Sequence, residues 1–297
     1  MKPSSNFKET IFNLSNNRLH HNRIGFVTAV QLGLDCLEEI ERMGGAPDLL
    51  ITLSDETAKK KSGRVYLDDY ADRLGITLVK VKNINEPEVT DIIRKANLDY
   101  LLVIGWSQIV GPQIFSLINC GLFGMHPTLL PQGRGRAPIP WTIIKGLTHS
   151  GVSMFEIRPD VDSGDIVGVE EFNISPVETS KTLYEKARKA HIRLIRNTWP
   201  FLTKGTLSGQ PQDETKASYW PKRNPEDGRI TEDMTIEAID RLVRALTHPY
   251  PGAFLIEEDK KLIIWAGQIM KRNFREDLPK QLIRDNLYFM PTEFEWL

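Results

Sequence analysis

The sequence predicts an α/β protein: a doubly wound, mostly parallel sheet followed by a small β-rich domain. Two patterns carry that expectation. Between residues 23 and 105, short apolar runs alternate with amphipathic stretches, the rhythm of β-α-β units joined by right-handed crossovers. After about residue 150 the rhythm breaks, and beyond residue 218 one helical stretch stands among short strand-like runs. The composition is that of an ordinary globular chain, with 40% hydrophobic residues, 26% charged residues and a formal net charge of −1. At 297 residues the chain can bury a core large enough to fold without disulfides or a structural metal.

Residues 23–28 (RIGFVT) read as a first buried strand. Residues 32–43 set Leu34, Leu37, Ile40 and Met43 at helical spacing, and Gly44-Gly45 ends that helix. Residues 48–53 (DLLITL) form a second strand, 65–74 a helix ended by Gly75, and 76–81 a third strand. Residues 87–96 open with a proline, which suits a first helical turn. Residues 98–105 (LDYLLVIG) are the most apolar run and belong at the centre of a sheet covered on both faces. Residues 151–157 and 166–174 then read as strands separated by RPDVDSGD, and 179–204 as a long amphipathic helix. The last expected helix is 236–246.

This gives a polar lead-in over residues 1–22, helical only if something packs on Phe7, Ile11 and Leu14. An α/β domain spans 23–205, a Gly/Ser/Gln/Pro-rich linker 206–217 and a β-rich domain 218–297. Cys36 and Cys120 lie 84 residues apart with no Cys-x-x-Cys spacing, which implies neither a disulfide framework nor a thiolate zinc site. No run is apolar enough to span a membrane, and the N-terminus lacks the apolar core of a signal peptide, so a cytoplasmic setting is expected.

The chemistry is expected where open α/β sheets bind ligands, outside the carboxyl ends of the strands. The loop after the first strand, TAVQLG, has no phosphate-cradling glycine pattern. Residues 124–141, GMHPTLLPQGRGRAPIPW, are richer, with a histidine at a strand end, four prolines and two arginines. Pro127 biases His126 toward extended backbone, which fixes where the imidazole points. The acidic loop RPDVDSGD follows, with Asp160, Asp162 and Asp165, about 36 residues after the histidine. A carboxylate beside an imidazole orients its tautomer and prepares it to shuttle a proton. Taken alone, a histidine is more often structural and an acidic loop more often a solvated turn.

Together, HPTLLPQGRGRAP and GVSMFEIRPDVDSGDIV resemble the signature of the folate-dependent formyltransferases over about residues 23–210. YWPKRNPEDGRI and RALTHPYPGAF resemble more loosely the C-terminal region of the tRNA- and amino-sugar-modifying members. The resemblance implies the Rossmann-like formyltransferase fold and transfer of a formyl group from N10-formyltetrahydrofolate to a primary amine, with no metal. His126 and Asp162 fall on the family's catalytic histidine and aspartate, whereas Gly124 stands where the family has an asparagine. Charge developing on the formyl oxygen still needs a donor. His126 is expected to supply it, helped by a backbone N–H, a water, Ser107 or Gln108. The pterin is expected against residues 104–110 and the loop before Asp162, which brings Trp106, Ser107, Gln108, Ile109, Val110, Leu130 and Asp160 to the donor site. Arg134 and Arg136 are expected to touch an anionic acceptor, since a guanidinium fork suits phosphate.

Three acceptor classes fall within the resemblance. A phosphoribosyl amine is disfavoured by the missing phosphate cradle after the first strand. Initiator tRNA calls for a basic surface, yet residues 218–297 hold fewer Lys and Arg than Asp and Glu, and SDETAKKKSGRVYLDD offers only a short basic run. A nucleotide-linked amino sugar fits best, which implies a homodimer serving lipopolysaccharide or surface-glycan biosynthesis and neither nucleic-acid nor membrane partners. The alternatives are a methionyl-tRNA formyltransferase, a hydrolase of the formyl donor and a non-catalytic folate-binding relative.

Overall fold

The computed structural model describes residues 22–59, 63–271, 278–284 and 286–297. Almost all of the expected N-terminal lead-in, including Phe7, Ile11 and Leu14, lies outside these residues, as do Lys60 and Lys61 of the basic run.

The first half follows the expected rhythm. Strand β1 (Ile24–Val27) leads into α1 (Gln31–Arg42), then β2 (Leu49–Leu53), a single turn α2 (Asp55–Ala58), α3 (Asp68–Leu74), β3 (Thr77–Val81), α4 (Pro87–Ala96) and β4 (Tyr100–Val103). Every residue of β1 and β2 is buried, as strands covered on both faces must be. The helix expected over 65–74 begins three residues late. The Val65 N–H donates instead to the Ala29 carbonyl, and Arg64 bridges Val30, so this stretch extends along the end of β1. Gly75 closes α3 at φ +64°, a left-handed cap that glycine adopts without strain.

After the short α5 (Pro112–Phe115) come β5 (Gly121–His126), β6 (Arg134–Gly135), α6 (Pro138–Ile144), β7 (His149–Glu156), β8 (Ile166–Asn173) and the long α7 (Ser180–Lys204). Thr179 caps α7, its side chain accepting from the Thr182 N–H. The seven-stranded sheet has the order β3-β2-β1-β4-β5-β7-β8. Its first five strands are parallel, whereas β7 runs antiparallel to β5 and β8 antiparallel to β7. The sheet is therefore mixed, with a hairpin closing one edge.

The C-terminal part comprises β9 (Tyr219–Trp220), α8 (Ile236–Leu246), β10 (Ala253–Glu257), β11 (Lys260–Lys271), β12 (Ile283–Arg284) and β13 (Leu287–Trp296). The last four make an antiparallel sheet of order β10-β11-β13-β12. Its core is continuous with that of the first half: Leu102, Val152 and Leu194 belong to the same buried cluster as Ile239, Leu242 and Phe289. A second cluster, including Val27, Ile51, Ile93, Leu101 and Leu122, fills the remaining layer under α4 and α5.

Residues 206–217, expected as a linker, do not hang free. Gln210 bridges Ile166 beside β8, and β9 pairs in parallel with β6. The chain thus returns to the segment that follows His126 before entering the second sheet.

Candidate active site

His126 closes β5, in register with Ser153 of the antiparallel β7. Successive strand residues point to opposite faces, so Gly124 and His126 share one face of β5. The loop joining β7 to β8 folds across that face: the Ile157 side chain lies against Gly124, and Asp162 lies against His126.

The imidazole is nearly enclosed. Nε2 lies 2.8 Å from the Gly133 carbonyl, which can only accept, so Nε2 carries a proton. Nδ1 faces Asp162 Oδ2 at 3.6 Å, close enough for ion pairing and too long for a hydrogen bond. The same Oδ2 accepts the Gly135 N–H at 2.8 Å. Asp162 itself holds φ +50°, uncommon for a residue with a Cβ. The histidine and the aspartate are therefore gripped by the same glycine-rich turn, Gly133 on one and Gly135 on the other.

That turn has room only for glycine. At Gly133, φ +72°, an added Cβ would come within 2.8 Å of the Trp220 ring. At Gly135, φ +108°, it would sit 2.6 Å from the Trp220 carbonyl oxygen. Pairing of β6 with β9 presses Trp220 onto the turn, and both positions need conformations that side chains rarely adopt.

A side chain at Gly124 would press on the loop that follows β7. A Cβ there would meet Cγ1 and Cδ1 of Ile157 at 3.3 Å and the Phe155 ring at 3.5 Å. The nearest side chain to that position is Ile157, a residue without a hydrogen-bond donor beyond its backbone.

The other expected site residues divide. Gln108 does not offer a free amide: Oε1 accepts the Ile84 N–H at 3.0 Å and Nε2 donates to the Lys82 carbonyl at 2.8 Å, so it staples the loops after β3 and β4. Ser107 is exposed on the same segment, and Val110 is buried. Ile109 is 80% exposed, an unusual amount of apolar surface for one residue. Trp106 packs against Ala29, Leu53 and Ala58, and its buried indole N–H has no partner. Leu130 is buried, its N–H bonded to Ser153 Oγ. Asp160 is exposed and lines a cleft of about 550 Å³ with Arg158, Val161, Ser163, Glu214 and Tyr219.

Arg134 departs from the expected role at an anionic acceptor. Its side chain is 1% exposed, and its guanidinium is spent on Gln212, Glu214 and the Tyr219 hydroxyl. The hydrogen bond to Glu214 holds the guanidinium above its ordinary range and the carboxyl of Glu214 below its own. Arg136 is the opposite case: its side chain is exposed, and among the described residues it makes no ion pair. Sequence reasoning missed Gln212, Glu214 and Ser218, which lie in a stretch with the polarity of a linker. Ser218 Oγ accepts the Gly133 N–H at 2.9 Å.

Behind the site, His191 of α7 is buried and donates from Nδ1 to the Ala187 carbonyl at 2.7 Å. Burial pushes its imidazole down to about 4; the Ala187 hydrogen bond opposes this, and the charge of nearby His126 adds to it. No group of three or more potential metal ligands occurs among the described residues. No helix among them is long and apolar enough to cross a membrane.

A histidine and a carboxylate converging beside a strand end, on this sheet order, define a formyl-transferring enzyme once the comparisons with known proteins are added. Residues 37–198 match the family described as formyl transferase, and residues 222–286 match its C-terminal domain. The chain belongs to the formyl transferase family. Its fold is shared by the methionyl-tRNA formyltransferase from Clostridium thermocellum, with 20% identity, a TM-score of 0.61, and 93% of this chain and 99% of that one covered. An N-formyltransferase from Helicobacter canadensis, solved with folinic acid and dTDP-3-aminofucose, aligns with TM-score 0.68 at 16% identity, over 91% of this chain and 98% of that one. The sugar 3N-formyltransferase WlaRD, solved with dTDP and 5-N-formyl-THF, aligns with TM-score 0.65 at 17% identity, over 86% and 88%.

Proposed function

We propose that this formyltransferase moves a formyl group from N10-formyltetrahydrofolate to the primary amine of a nucleotide-linked amino sugar. The observation that carries the reading is the convergence of His126 and Asp162 at 3.6 Å beside the exposed, unpaired Arg136. When bound, the folate supplies an activated formyl carbon to the amine. The residues at its expected seat fit a flat ring with a polar edge. Ile109 offers uncovered apolar surface, and the unpartnered Trp106 N–H offers a donor.

The protein's own part is proton handling and orientation. Asp162 faces the Nδ1 side of His126 and is placed to accept the proton that the amine loses as its new C–N bond forms, the proton that the departing folate nitrogen would need as the old C–N bond breaks. Nε2–H of His126 is the donor nearest the reacting region, and the Gly133 carbonyl must release it before it can serve a substrate oxygen. Arg136 meets the anionic part of the acceptor, while buried Arg134 shapes the loop from within. The negative balance of residues 218–297 favours a small acceptor over tRNA. With this reading go a cytoplasmic site of action, a homodimer and a place in lipopolysaccharide or surface-glycan biosynthesis.

The test is incubation with N10-formyltetrahydrofolate and a panel of dTDP- and UDP-linked amino sugars, with methionyl-tRNA as a parallel acceptor, read by mass spectrometry. A formyl mass gain on one sugar nucleotide is the expected result. Formylation of methionyl-tRNA alone would select the tRNA reading. Release of formate with no acceptor modified would make the protein a hydrolase, and no donor consumption at all would remove catalysis.

A further inference from the structure

Asp162 is held from two directions, and only one of them is local. Its carboxylate is anchored by the Gly135 N–H. Its backbone carbonyl is anchored by Gln212, 50 residues later in the chain, whose Nε2 donates to the Asp162 carbonyl at 2.8 Å and to the Gly164 carbonyl at 2.7 Å. Both protons of the amide are thus spent on the loop that carries Asp162.

Arg134 fixes which way that amide faces. Gln212 Oε1 accepts from Arg134 Nε at 3.1 Å and from Nη2 at 2.8 Å. A guanidinium only donates and a carbonyl only accepts, so the amide has one workable orientation, oxygen to Arg134 and nitrogen to the Asp162 loop. Reversing it would face a cation with N–H groups and two carbonyls with an oxygen. The remaining Arg134 bonds run from Nη1 to Glu214 and Tyr219 Oη, both at 2.9 Å, and from Nη2 to Glu214 at 2.6 Å. Five bonds use the five guanidinium protons, so the buried cation has none left for substrate. Its backbone neighbour Gly135 supplies the bond to the Asp162 carboxylate.

We infer that Gln212 is a positioning residue for the formyl-transfer site, oriented by buried Arg134, and that the pair sets where the left-handed Asp162 presents its carboxylate to His126. The inference rests on the assignment of Asp162 to the chemistry. It adds that two side chains outside the His126–Asp162 pair control how that chemistry is aligned. A small misplacement of a catalytic group costs roughly 100-fold in rate.

The experiment uses the full-length protein with Gln212→Ala, Gln212→Glu and a surface control, Lys216→Ala. Two readouts are taken: steady-state kinetics with the acceptor that the sugar panel identifies, and the ring-nitrogen NMR resonances of His126 without substrate. Gln212→Glu keeps an acceptor for Arg134 but turns an oxygen on the Asp162 and Gly164 carbonyls, so it should be as damaging as Gln212→Ala. Both are expected to lower kcat by roughly 100-fold with KM for the formyl donor little changed, and to shift the His126 Nδ1 resonance. Lys216→Ala should do neither. Unchanged His126 resonances in either folded Gln212 variant overturn the inference, as does a loss confined to thermal stability with kcat intact. If the wild type formylates no acceptor, the assignment of activity fails on its own, and the NMR comparison still decides whether Gln212 sets the Asp162–His126 geometry.

Discussion

Ile157 occupies the space beside Gly124, its Cγ1 and Cδ1 3.3 Å from where a Cβ on that glycine would stand. The two residues complement each other, a missing side chain on one strand and a branched one folded over it. Gly124→Asn alone should therefore crowd the face of β5 and cost about 1–3 kcal/mol of stability, typical of an overpacked site. Activity should not rise. Pairing it with Ile157→Ala should recover most of the loss, measured by denaturant unfolding alongside formyl-transfer assays. A stable, more active Gly124→Asn single variant would contradict this account of the site.

His126→Ala and Asp162→Asn are each expected to reduce turnover by on the order of 1,000-fold, the scale of a lost acid–base group. Asp162 is only partly buried and Asp162→Asn keeps its shape, so its melting temperature should stay near the wild type, whereas His126→Ala empties a buried site and should lower it more. Turnover retained in either variant would remove that residue from the chemistry.

The two arginines of the glycine-rich turn should separate cleanly in kinetics. Arg136 is exposed and unpaired among the described residues, so Arg136→Gln should raise KM for an anionic acceptor roughly tenfold, about the worth of one charge-assisted hydrogen bond. Its kcat should hold. Arg134 is buried with five bonds, so Arg134→Gln should lower kcat and stability together. Initial-rate measurements over a range of acceptor concentrations, with unfolding curves for each variant, distinguish the two patterns.

His191 makes stability depend on acid. Folded, its imidazole is pushed down to about 4 by burial, against an ordinary value of 6.5. Between those limits the unfolded chain binds a proton that the folded chain refuses, so stability falls as pH drops from 6.5 toward 4. The span corresponds to roughly 3 kcal/mol for this group alone. His191→Gln, which keeps a donor for the Ala187 carbonyl, should flatten that part of the profile. Equal slopes in variant and wild type, from urea unfolding at several pH values, would rule His191 out as the source.

Much of the fold was legible because its signals are local. Proline at the first turn set the start of α4 and apolar spacing gave both ends of α8, each as expected to the residue. The runs of β1, β2 and β4 lie at the buried centre of the sheet. The start of α3 was not legible, because Val65 has a distant use for its N–H, at the Ala29 carbonyl. His126 stood out through Pro127, and the RPDVDSGD loop through its three aspartates, of which only the resemblance to the formyltransferases singled out Asp162. The roles of Arg134 and Gln108 did not, since an arginine's or an amide's purpose depends on partners. For Arg134 those partners lie 78 to 85 residues away, in a segment with the composition of a spacer.

The parallel pairing of β6 with β9 also decides how this protein can be cut. By composition the first unit ends near residue 205, yet its hydrogen bonding runs further: the Trp220 carbonyl accepts the Arg136 N–H, the Pro221 carbonyl accepts the Trp141 indole N–H, and the Ala245 carbonyl accepts the Ser180 hydroxyl. A fragment stopped at 205 would leave Arg134 a naked buried cation and remove the packing that holds the glycine-rich turn. Residues 206–220 must therefore stay with the first domain in any graft, and a replacement C-terminal module would also have to cover the face that α8 now shares with the common core.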